Sequence, residues 1–107
     1  MSTAIKAGVI TRRQRASVDA GGPGPIDRFL DAVWMERGLS PNTLAAYRAD
    51  LTALERWLDE REQSLMTAQR GDVLAFMASR VQAGARPRST ARQLSSFRRF
   101  YRYQLRE

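Results

Sequence analysis

Seven arginines and no acid lie between Arg86 and Arg106, in the run RPRSTARQLSSFRRFYRYQLR. Read as an α-helix at about 100° per residue, the run sorts by chemistry. Arg88, Arg92, Ser95, Arg99, Arg102 and Arg106 recur at steps of 4, 3, 4, 3 and 4 and share one narrow stripe. Leu94, Phe97, Tyr101 and Leu105 recur at steps of 3, 4 and 4 on roughly the opposite side. One face can pack on a core while the other offers guanidinium groups to something anionic. An ordinary solvated face mixes signs so that i,i+4 pairs form. A stripe without a carboxylate repels itself, and a polyanion offsets that cost. The stripe therefore points to nucleic acid.

The rest of the composition narrows the chemistry. The 107 residues contain no cysteine and no histidine. Disulfide scaffolds, Cys/His zinc sites, cysteine nucleophiles and histidine-based triads are excluded, and no metal or cofactor is expected. Hydrophobic residues make up 43%, enough for one small domain with a modest core. The net charge of +7 is unevenly placed: residues 1–24 carry +3, residues 25–85 carry −2 and residues 86–107 carry +6. No apolar run approaches a membrane span and no secretory signal is visible. Lack of cysteine fits a cytoplasmic protein.

The stripe needs elements to hold it. Residues 1–24 show no sustained period and end in Gly21-Gly22-Pro23-Gly24-Pro25. They are expected to be a disordered basic tail and linker rather than a transit peptide. A first helix is expected over 26–37, with Ile26, Phe29, Leu30, Val33 and Trp34 on one side and Gly38 ending it. A second, over 41–59, opens at Ser40-Pro41 and repeats Leu44, Tyr47, Leu51, Leu54 and Leu58. A polar connection follows, with Leu65 and Met66 tucked in. A third helix over 70–83 carries Val73, Phe76, Met77 and Val81, and the arginine helix runs over 87–105. No segment reads as a strand, so the fold class is all-α, a small four-helix bundle over residues 25–107.

Helix N-termini add a second kind of anion site, since their first N–H groups lack partners. Acids in the first turn would cancel it. The first and third helices have such acids, Asp27 and Asp72; the second and fourth begin Pro41-Asn42-Thr43-Leu44 and Pro87-Arg88-Ser89-Thr90. Ser40 is expected to cap. Asn42 and Thr43 stand open between solvent and phosphate. The two acid-free ends suggest that the second and fourth helices face DNA together.

The order of these features resembles a known family. Ile26-Asp27-Arg28-Phe29-Leu30, then Leu39-Ser40-Pro41-Asn42-Thr43-Leu44, then Tyr47-Arg48-Ala49-Asp50-Leu51 are similar to the N-terminal core-binding domain of tyrosine recombinases. Ser89-Thr90-Ala91-Arg92-Gln93-Leu94-Ser95-Ser96-Phe97-Arg98-Arg99-Phe100-Tyr101 matches that domain's last helix. Within that family the pattern resembles the XerC/XerD branch, and XerD more than XerC. The resemblance covers residues 25–107 and implies a SAM-like bundle clamping one face of a double-stranded recombination half-site. It implies that the second and fourth helices lie at the major groove, with the second helix's N-terminus on phosphate. Carried over, Ser40, Asn42 and Thr43 would face phosphate. Arg88, Ser89, Arg92, Ser95, Arg99 and Arg102 would lie on the groove-facing helix. Tyr47, Leu51, Leu94 and Phe97 match core positions. Gln69 stands where relatives carry a Ser or Thr cap.

The family's chemistry lies in a C-terminal domain, where a tyrosine attacks the scissile phosphate with help from arginines, a lysine and histidine. That domain is expected to be absent from this chain, so the fragment is expected to be no enzyme. Tyr47, Tyr101 and Tyr103 read as core or edge aromatics. The resemblance also implies chromosome partition or DNA integration in a bacterial, nucleoid-associated setting. Other recombinase subunits would be partners of the full-length protein, and the fragment alone would be a monomer. A phage or integron integrase is the rival within the family. From another class, the rivals are a helical protein-interaction module with a basic face and a basic helix on an anionic membrane.

Overall fold

The computed structural model describes residues 24–106, and residues 1–23 with the expected tail lie outside the described residues. Four α-helices follow one another: α1 (Pro25–Arg37), α2 (Pro41–Asp59), α3 (Arg70–Gln82) and α4 (Pro87–Arg106). There is no strand among the described residues. The all-α bundle and its four segments agree with the periodicity to within a residue at each end.

Local chemistry explains the boundaries. Pro25, Pro41 and Pro87 each open a helix at the position where a missing N–H costs nothing. Gly38 ends α1 in the left-handed region (φ 61°), donating its N–H to Trp34 O at 2.8 Å. Ser40 caps α2 by accepting from Thr43 N at 3.2 Å. Gln69 begins α3, and the Asp72 carboxylate accepts the Gln69 N–H at 2.9 Å. That bond places the start of α3 without a hydroxyl cap.

The central pair is α2 and α4; α1 packs on α2, and α3 packs on both members of the pair. The core joins Phe29, Leu51, Leu54, Leu58, Leu65, Phe76, Phe97 and Phe100. Phe29 sits at its centre, edge-on to Phe100 (5.4 Å between centroids) and to Tyr103 (5.6 Å). The 60–69 connection is pinned from beneath: Leu65 is buried, and its carbonyl accepts the Tyr101 hydroxyl at 2.7 Å.

Several apolar residues depart from the expected core. Trp34 is 56% exposed, and Met66 and Val81 are also exposed. Leu105 is 88% exposed, one residue before the end of α4. Leu94 is only half-buried, beside Leu74 and Tyr101 in a groove between α3 and α4. The face of α4 that is fully buried is Gln93, Ser96, Phe97 and Phe100. It is rotated from the expected one and contains two polar residues.

Candidate nucleic-acid interface

The pair α2–α4 sets the geometry of the arginine stripe. The Arg99 guanidinium lies 6.0 Å from the Tyr47 ring centroid, while Arg92 and Ser96 bond to Asp50. Residue number rises along one helix as it falls along the other, so the two are antiparallel. Thr43 lies one turn before Tyr47 on the same side of α2, and Arg102 about one turn beyond Arg99 on α4. The first turn of α2 therefore continues the surface that Arg99 and Arg102 occupy. Pro87 to Thr90, the other acid-free end, is level with the late part of α2, roughly 20 Å away at 1.5 Å per residue. The two open ends point in opposite directions, and the stripe runs between them.

Along that stripe, Arg88, Ser95 and Arg102 are exposed, and Ser89 and Arg99 are half-buried. Arg88 and Arg102 have no ion-pair partner among the described residues, and Arg106 approaches Glu36 at 3.8 Å. At the first turn of α2, Asn42 is exposed, and the Thr43 hydroxyl lies 3.1 Å from Ser40 Oγ. Both hydroxyls are thus engaged with each other and with the cap. The acid of the first turn of α1 is covered: Asp27 Oδ1 accepts from Arg48 Nη2 at 2.7 Å.

Arg92 differs from its neighbours, a feature spacing within α4 does not reveal. Its Nη2 donates to Asp50 Oδ1 at 2.6 Å and its Nε to Asp50 Oδ2 at 3.3 Å. The Asp50 side chain is 1% exposed and that of Arg92 55%. Ser96 Oγ donates to the same carboxylate at 2.8 Å. The acid-free character of α4 is thus a property of its own sequence; across the helix pair, one stripe arginine does meet a carboxylate. A signal existed, because Asp50 falls three residues after Tyr47 and four before Leu54, on the buried side of α2. A charge there demands a partner.

Two arginines off α4 sit in different surroundings. Arg61 stacks on Trp57 at 3.6 Å from the ring centroid and approaches Glu60 at 3.9 Å. Arg56 lines the groove between α1 and α2, away from α4. No described helix is long and apolar enough to cross a membrane.

Comparison with known proteins bears on this basic face. The chain is 52% identical over 82 residues to the tyrosine recombinase XerD of Pseudomonas putida, covering 77% of this chain and 28% of that protein. It is 51% identical over 82 residues to XerD of Pseudomonas aeruginosa, with the same coverage. It is 46% identical to XerD of Proteus mirabilis, covering 77% of this chain and 26% of that protein. The chain thus spans little more than a quarter of the length of these relatives. No solved structure matches it. Residues 26–107, which span the four helices except for Pro25, match the family described as phage integrase, N-terminal SAM-like domain, and the chain belongs to that family.

Proposed function

We propose that this chain is the DNA-holding N-terminal domain of a XerD-like site-specific tyrosine recombinase. It grips one face of a duplex half-site through α2 and α4, and strand cleavage and rejoining belong to the rest of such an enzyme. The observation that carries this reading is the stripe of α4, where Arg88, Arg99 and Arg102 have no carboxylate partner among the described residues and where Arg99 and Arg102 lie beside the first turn of α2. A helix fits the major groove of B-DNA, which is about 12 Å wide. Arginines along α4 then reach base edges or the flanking phosphates. Asn42 and the backbone N–H groups of the first turn of α2 meet a phosphate, with Ser40 and Thr43 shaping that turn. The partners are double-stranded DNA and, in the longer protein, further recombinase subunits. The setting is the bacterial cytoplasm, at the nucleoid.

The test is a titration of labelled duplex DNA with the chain across salt concentration. With about five phosphates neutralised, log K should fall against log salt with a slope near −4 to −5. A nicked substrate carrying the site should give no covalent adduct on a denaturing gel. Binding indifferent to salt, or no binding, would favour an acidic protein partner for the basic face.

A further inference from the structure

Asp50 is the feature that the DNA-holding reading does not itself require. Its carboxylate is buried, yet its main partner is half in solvent. An ion pair of this kind stabilises a fold no better than apolar residues of similar shape. What a pair of apolar residues would not do is fix a guanidinium at the surface. The geometry of the contact is specific. Arg92 meets Asp50 side-on, through Nε and Nη2. A guanidinium has five N–H donors. Both hydrogens of Nη1 and the second hydrogen of Nη2 are left over; one Nη1 hydrogen and that Nη2 hydrogen form the end-on fork that matches two acceptors at once. Ser96 fixes the carboxylate from below and Asp50 fixes the arginine. Arg88 and Arg102 have no such support.

We propose that Asp50 is a positioning residue for DNA binding, holding Arg92 so that its free fork meets a pair of acceptors on the duplex. The inference rests on the DNA-holding reading. The acceptors are two oxygens of a phosphate or the O6 and N7 of a guanine. In either case the side chain is ordered before DNA arrives, which removes an ordering cost that free arginines incur on binding.

The decisive variant is Asp50→Asn, because two effects oppose each other in sign. Removing a negative charge near a DNA-binding face tightens binding through the field alone. Loss of positioning weakens it. Two fluorescein-labelled duplexes serve as probes, one of mixed sequence and one selected by the wild-type chain from a random library. Anisotropy is read well below the melting temperature of every variant. Asp50→Asn should bind about 3–10-fold more weakly than wild type. In an Arg92→Ala background, adding Asp50→Asn should cause no further loss. Arg92→Lys keeps the charge and the pairing with Asp50 and so protects the fold, yet it lacks the fork; it too should bind more weakly. Equal losses on both duplexes assign the fork to phosphate, and a larger loss on the selected duplex assigns it to guanine. If the wild-type chain binds and Asp50→Asn binds as tightly or more tightly, or Arg92→Lys matches wild type, the positioning role is overturned while the DNA-holding reading stands. If the wild-type chain binds neither duplex, both fall.

Discussion

Two pairs of arginines in this domain carry the same formal charge in opposite surroundings, and comparing them separates contact from net charge. Arg99 and Arg102 lie one turn apart on the stripe, next to the first turn of α2. Arg56 lies in the α1–α2 groove, and Arg61 is stacked on Trp57 and close to Glu60. Replacing either pair with alanine removes two positive charges. Arg92 is left out of the comparison because its loss would strand the buried carboxylate of Asp50. Stranding a wholly buried charge costs about 3–5 kcal/mol. With Arg92 half-exposed the cost is smaller, on the order of 1–3 kcal/mol, but still enough to confuse binding with folding. Each groove contact contributes about 1–3 kcal/mol, so Arg99→Ala with Arg102→Ala should weaken duplex binding by roughly 2–5 kcal/mol. It should also flatten the salt slope by about 0.9 for each phosphate released. Arg56→Ala with Arg61→Ala acts only through the field, which is screened within about 10 Å at 0.1 M salt, and should cost well under about 1 kcal/mol. Anisotropy titrations at several salt concentrations measure both quantities, and circular dichroism melts confirm that both variants are folded. Equal losses from the two pairs, or a larger loss from Arg56 and Arg61, would mean that the stripe is only a solvated face.

Two further outcomes test the scaffold. Tyr101→Phe should destabilise the domain by about 1–3 kcal/mol, since it leaves the carbonyl of buried Leu65 without its donor. Burial pushes the Tyr101 phenol up from 10.0 to about 12. The stability linked to its proton is therefore complete below pH 10 and is lost as pH rises through about 12, a loss that denaturant melts should find missing in Tyr101→Phe. Gly38→Ala should cost about 1 kcal/mol in melts because φ at this position is 61°, and Gly38→Asn should cost less.

The helices were legible because each repeats its apolar residues at the helical period and begins at proline or near a cap, signals that lie within one segment. The stripe of α4 was legible for the same reason. What escaped lies between segments. Leu94 and Leu105 fit the period, yet a residue is buried only where a neighbouring helix covers it, and α4 turns Phe100 and Ser96 inward instead. Asp50 and Arg92 are 42 positions apart, so no periodicity within one helix joins them. Three polar residues at core positions nonetheless marked the place: Asp50 on α2, and Gln93 and Ser96 on α4. Each is a misfit in its own helix. Each is answered from a neighbouring helix, Asp50 by Ser96 and Arg92 of α4 and Gln93 by Arg80 Nε of α3 at 3.3 Å. A polar residue on a buried stripe states that a partner must exist on the facing helix. In this domain the facing helix is the one that carries the arginines. Burying Asp50 therefore ties the packing of α2 against α4 to the aim of a surface guanidinium, and any shift of one helix along the other would move Arg92 with it.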